Sequence, residues 1–125
     1  MEELIIEGTD YSPEVIFSPR NQQFMMSGWS RPESPTKFYE PVFRWIDEQG
    51  VNFLNNATIN FSIEYYNTPS AKMIKYLFDK LNALYKKGVK MNIIWHYDDV
   101  ESKEEFEFEL GQGLSFPIKY VQKEQ

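Results

Sequence analysis

Between residues 57 and 95 the chain changes its hydrophobic period twice. Over Ala57–Tyr66, the residues Ile59, Phe61, Ile63 and Tyr65 alternate with Asn60, Ser62, Glu64 and Tyr66. This is the period-two pattern of a strand with one buried face. From Pro69 onward, Met73, Ile74, Leu77, Leu81 and Leu84 recur at three and four residues, the stripe of an amphipathic helix. Gly88 stands at the C′ position behind Lys86 and Lys87, which suit the negative end of the helix dipole. Val89–Trp95 then reads as a buried strand. Strand, helix and strand with short links form a βαβ unit, with parallel strands and a right-handed crossover.

The remaining segments extend this unit. Leu4–Ile6, Pro13–Phe17 and Gln23–Ser27 are short apolar runs that form a meander of strands, with a turn at Ser18–Asn21 and closure at Gly28. Ser34 and Pro35 read as N-cap and first residue of a helix whose apolar face carries Phe38, Val42, Trp45 and Ile46. Pro41 is expected to kink or split that helix, and Gly50 to end it. Asp98–Glu109 is acidic and reads as loop plus a short helix, and Phe116–Val121 as a last strand. The expected fold is α/β: a single-domain two-layer sandwich over residues 1–125, with a mixed sheet and helices mainly on one face.

Composition narrows the function classes. With 19 acidic and 13 basic side chains the net charge is −6, which argues against nucleic-acid backbones and anionic membrane surfaces. Cysteine is absent, so no disulfide, thiolate nucleophile or Cys-ligated metal exists. The start Met1-Glu2-Glu3-Leu4 lacks the basic, then apolar, run of a secretion signal, and no apolar stretch approaches the length of a membrane span. The expected location is the cytoplasm.

The segment Tyr65-Tyr66-Asn67-Thr68-Pro69-Ser70-Ala71-Lys72 joins the βαβ strand to its helix. Sites in α/β folds lie beyond the carboxyl ends of parallel strands. Because Pro69 disfavours helical geometry in the residue before it, Thr68 is expected as the N-cap and Pro69 as the first helical residue, with the Thr68 hydroxyl facing the N–H groups of Ser70 and Ala71. The same residues also read simply as a good helix start. A phosphate added to Thr68 would alter charge and hydrogen bonding at one spot. Lys72, one turn on, reads either as a partner for that phosphate or as a solvated lysine.

This segment resembles the core pattern of the SiaC family of bacterial regulatory phosphoproteins, similar to Tyr-Phe-Asn-Thr-Ser-Ser-x-Lys. Gly28-Trp29-Ser30-Arg31-Pro32-Glu33, Phe38-Tyr39-Glu40-Pro41 with Trp45, Ile93-Trp95-Tyr97 with Asp98 and Asp99, and Phe116-Pro117 also resemble family segments. Pro69 stands where the family pattern has serine. The resemblance implies partner switching and a fold like that of anti-sigma-factor antagonists. A serine/threonine kinase of anti-sigma-factor type would phosphorylate Thr68, and a metal-dependent phosphatase would remove the phosphate. The unmodified form would bind a target such as a diguanylate cyclase, with Asn67, Pro69, Ser70, Lys72 and Tyr66 around the phosphosite and contacting partners. No catalytic residue, metal or cofactor is implied.

Two other function classes compete. A hydrolase with Thr68 as nucleophile needs a base, and His96 is the only histidine. A small-molecule sensor needs an aromatic-lined pocket at the sheet edge. His96 beside Asp98 and Asp99 is a thin metal set and reads as a solvated or hydrogen-bonded side chain. The run Glu101, Glu104, Glu105, Glu107 and Glu109 lacks calcium-loop spacing and reads as a solvated face. Gly111-Gln112-Gly113 is too short for a nucleotide loop. Trp29, Tyr39 and Tyr66 are candidate partner anchors, and Trp45 and Trp95 candidate core residues.

Overall fold

The computed structural model describes residues 3–124. Strands β1 (Leu4–Ile6), β2 (Glu14–Ser18) and β3 (Gln23–Ser30) form an antiparallel meander. Helix α1 (Pro35–Phe53) leads to β4 (Ala57–Tyr66), α2 (Thr68–Lys86) to β5 (Met91–Tyr97), and α3 (Val100–Glu109) to β6 (Ile118–Gln122). The sheet order is β1-β2-β3-β4-β5-β6, with β3 to β6 all parallel. Each helical crossover advances one strand in the same direction, so connections of one hand stack the three helices on one face. Their contacts agree. The carboxylate of Asp47 on α1 lies 2.9 Å from the Lys80 Nζ of α2, and Phe78 of α2 meets Phe106 of α3 edge-to-face at 5.6 Å.

The core lies between that helix layer and one face of the sheet. Phe61, Phe78, Trp95 and Phe106 form its aromatic centre, with Trp95 and Phe106 stacked at 3.7 Å. Trp45 packs on Phe17 and Phe24 at the other end. Both tryptophans expected in the core are there.

Three local expectations change. Helix α1 is one helix through Pro41, and it continues past Gly50 to a cap at Leu54. The apolar face of α1 outweighs the one ladder bond Pro41 removes. Gly50 is buried, and a Cβ there would sit 2.7 Å from Leu84 Cδ1, so this glycine makes room for α2 rather than ending α1. Strand β3 likewise runs through Gly28, whose φ of 116° is cheap only for glycine. Here the pairing slips: Gly28 lies opposite Ile63 and Trp29 opposite Tyr65, so Glu64 is an extra residue in β4. The bulge reverses the expected alternation. Tyr65 is exposed and packs at a tilt on Trp29, 5.1 Å between ring centroids, while Tyr66 is half-buried.

Candidate functional site

The carboxyl ends of β4 and β5 meet the start of α2 and the inner side of α3. Between them lies a crevice of about 340 Å³ whose lining includes Tyr66, Asn67 and Thr68 from the β4–α2 junction, Trp95 and Tyr97 from β5 with Asp98 just after it, and Glu105 and Glu109 from α3. Thr68 is exposed at its rim.

The helix start differs from the expected one. Asn67, not Thr68, is the N-cap: its backbone is extended and its Oδ1 accepts the Ser70 N–H at 3.0 Å. Thr68 and Pro69 occupy the first two helical positions. Asparagine caps better than threonine, and the first turn tolerates proline without losing a ladder bond. Pro69 has no N–H, the Ser70 N–H is taken, and the Ala71 N–H bonds the Asn67 carbonyl at 2.9 Å. The hydroxyl of Thr68 therefore stands free of the cap. We expect Asn67→Ala to cost about 1 kcal/mol and Thr68→Ala a few tenths at most, read from urea midpoints; equal losses would return the capping role to Thr68.

Beneath the junction runs a chain of buried hydroxyls that sequence reasoning did not foresee. Ser30 Oγ lies 2.6 Å from Tyr39 Oη and donates to Ser70 Oγ at 2.8 Å. The Ser30 carbonyl accepts the Asn67 N–H at 3.1 Å. Ser30, Tyr39 and Ser70 are all fully buried. Tyr39 is thus a core brace, not a partner anchor, and Ser70 supports the helix start from within rather than offering its side chain to a partner. The signal in the sequence was a serine at the end of β3 paired with a serine in the first turn of α2, but nothing local shows that they meet.

Burial pushes the Tyr39 phenol up to about 12, against a smaller opposing effect of its bond to Ser30. An unfolded tyrosine ionises near 10. Between pH 10 and 12 the unfolded state therefore sheds a proton that the folded state keeps, and stability falls as pH rises. Tyr39 alone is expected to remove on the order of 2 kcal/mol between pH 9 and pH 11.5, measured as a drop in the urea midpoint that Tyr39→Phe reduces. A midpoint independent of pH over that window would contradict this assignment.

The crevice is acidic. Glu64, Asp98, Glu105 and Glu109 line it and no lysine or arginine does. Burial first, then the charges of Glu109 and Glu105, push the Tyr66 phenol up to about 12. An occupant would have to be neutral or cationic. Lys72 is exposed one turn beyond Thr68, borders a shallow groove with Lys75 and Glu109, and has no ion pair among the described residues.

His96 alternates with Trp95 and Tyr97, so its ring points to the opposite face of the sheet. There Nε2 lies 2.9 Å from Asn60 Oδ1. Burial, then Lys123, lowers its pKa. No hydrogen bond joins it to Thr68 among the described residues, so a Thr68 nucleophile would lack its base. No three His, Asp or Glu side chains among the described residues are placed to hold a metal, and no described helix is long and apolar enough to cross a membrane.

Residues 6–123 match the pattern described as SiaC family regulatory phosphoprotein. The chain belongs to the SiaC family. Its fold agrees: SiaC of Pseudomonas aeruginosa superposes with a TM-score of 0.84 at 26% identity, over 98% of this chain and 100% of that one. A crystal structure of the diguanylate cyclase SiaD in complex with its activator SiaC, also from Pseudomonas aeruginosa, contains a chain that superposes with a TM-score of 0.85 at 25% identity, over 96% of this chain and 99% of that one. An uncharacterised protein of Pseudomonas aeruginosa is 25% identical over 119 residues, 94% of each chain. Within this SiaC-family member, Tyr65-Tyr66-Asn67-Thr68 falls at the junction just described, with one exposed hydroxyl and one buried one, Ser70, within a single turn of helix.

Proposed function

We propose that this chain is a non-enzymatic regulatory phosphoprotein that works in the cytoplasm by partner switching, with Thr68 as its phosphorylated residue. Unmodified, it docks on a diguanylate cyclase and so sets cyclic-di-GMP output. A serine/threonine kinase of anti-sigma-factor type adds the phosphate, and a metal-dependent phosphatase removes it. Asn67, Pro69, Tyr66 and Lys72 form the surface around the switch, and Ser70 holds that surface from below.

One observation carries this reading: Thr68 has the only exposed hydroxyl in the first turn of α2, where the family motif falls. The Ser70 hydroxyl is sealed against Ser30, which supports Thr68 over Ser70 as the residue a kinase reaches. The helix start supports a presented phosphate rather than a caged one, because the cap has already used the Ser70 donor and Pro69 has none. The family's description as regulatory phosphoproteins and the SiaC–SiaD complex support the output.

Incubation with the kinase and ATP, followed by peptide mass spectrometry, tests the assignment. The expected product carries one phosphate on Thr68, and Thr68→Ala carries none. Modification of another residue with Thr68 untouched would overturn the reading.

A further inference from the structure

We propose that Arg31 is a binding residue for a carboxylate of the target protein, and that Tyr11, Trp29 and Tyr65 form the aromatic rim that seats that contact. This inference rests on the docking reading above and names the chemistry of the docked surface.

The guanidinium of Arg31 lies between two rings, 4.9 Å from the centroid of Tyr11 and 5.2 Å from that of Trp29. Its Nε donates to the Asp10 carbonyl at 3.4 Å, and its backbone N–H donates to the Tyr11 carbonyl at 2.7 Å. Trp29 in turn packs on Tyr65 at 5.1 Å. The rings remain open to solvent: Tyr11 is 60% exposed, Trp29 43% and Tyr65 44%. The result is a ridge of three exposed aromatics and one arginine at the carboxyl end of β3. It continues into the switch, because Tyr65 is three residues before Thr68 and the Ser30 carbonyl holds the Asn67 N–H.

Arginine between aromatic faces has lost much of its side-chain freedom before any partner arrives, which lowers the entropic cost of binding. Tryptophan, tyrosine and arginine are also the residues that most often dominate protein interfaces. The decisive feature is charge. The chain carries 19 acidic side chains against 13 basic ones, yet no carboxylate among the described residues pairs with Arg31. With Nε engaged by the Asp10 carbonyl, the two terminal nitrogens make no hydrogen bond among the described residues and can present the two parallel hydrogen bonds that a carboxylate accepts from arginine. A nucleic acid or anionic membrane would meet the surplus carboxylates of the whole surface as well as this one cation. A single acidic side chain on a protein avoids that repulsion.

The test is calorimetry of the purified diguanylate cyclase against the wild type, Arg31→Gln, Arg31→Glu, Trp29→Ala and Thr68→Asp. Phosphorylation of Thr68 at the wild-type rate shows that each Arg31 and Trp29 variant is folded. The expected losses of affinity are about tenfold for Arg31→Gln and Trp29→Ala and a hundredfold or more for Arg31→Glu. An Asp or Glu of the cyclase changed to Arg is expected to restore binding to Arg31→Glu. Affinity of Arg31→Glu within twofold of wild type would overturn the proposal. So would equal losses for Arg31→Gln and Arg31→Glu with a lowered melting temperature, the result of a mere brace for the Thr9–Pro13 loop. Loss in Arg31→Glu but not in Thr68→Asp would remove the switch and keep the ridge, and the reverse would remove the ridge and keep the switch. A cyclase that does not bind the wild type overturns both.

Discussion

Phosphorylated on Thr68, the protein is expected to bind the proposed cyclase partner at least a hundredfold more weakly than the unmodified form does. The modification adds about −1.5 to −2 charges at neutral pH. Few intramolecular donors await it: Asn67 occupies the Ser70 N–H, and Pro69 offers none. On its crevice side stand Glu64, Asp98, Glu105 and Glu109, with no lysine or arginine in the lining; of the four, Asp98 is ion-paired, with Lys123 at 3.9 Å. Any partner that covers Thr68 must strip water from a dianion in acidic surroundings, which costs several kcal/mol unless the partner supplies a matched cation. Since about 1.4 kcal/mol is a factor of ten, even 3 kcal/mol gives the hundredfold loss. Calorimetry with enzymatically phosphorylated protein measures it. Thr68→Ala should keep wild-type affinity, and Thr68→Asp, with half the charge, should fall between. Equal affinities for the two phosphorylation states would end the switching account.

The largest expected effect on stability belongs to Phe106. Replacing it with alanine should cost about 3–5 kcal/mol and lower the melting temperature by roughly 10 °C or more. Phe106 is the one fully buried residue within α3, stacked on Trp95 at 3.7 Å and edge-on to Phe78 and Tyr120. The other residues of that helix are mostly charged, and Phe108 points outward. Without its anchor the contacts left to α3 among the described residues include the buried Leu110 at its end and those of Lys103 with Tyr97 and Tyr120. The acidic wall of the crevice should therefore loosen before the rest of the domain. Hydrogen exchange should show α3 losing protection while α1 and α2 keep theirs. A loss below 1 kcal/mol would show that α3 is held by something else.

The parts legible in the sequence were those whose cause is local. Ile59, Phe61 and Ile63 alternate and Ile74, Leu77, Leu81 and Leu84 recur at helical spacing, so β4, α2 and their parallel partner could be placed within two residues of their observed ends. The acidic α3 was foreseen as a short helix, and Asp99 caps it by accepting the Ser102 N–H at 2.8 Å. What stayed hidden depended on a second segment. Gly50 looks like a helix end until Leu84 is known to press on it. Tyr39 looks like an anchor until Ser30 arrives beside its hydroxyl. The cap was a contest between neighbours, Asn67 and Thr68, settled by the preference of the backbone for the better acceptor. The crevice was foreseen only as a place beyond the strand ends, because its acidic wall comes from α3, more than thirty residues further along.

Glu64, the surplus residue of β4, has an effect out of proportion to its size. Successive side chains in a strand point to opposite sides, so one insertion turns over everything downstream of it. Deleting Glu64 would leave the sheet and its helices in place but rotate Tyr65 inward and Tyr66 outward. The chain would then reach Asn67 from the wrong side. Such a variant should still melt cooperatively, yet show its threonine at an angle that neither a modifying enzyme nor a docking partner can read. The orientation of the proposed phosphosite is thus written in strand register, a few residues before its hydroxyl.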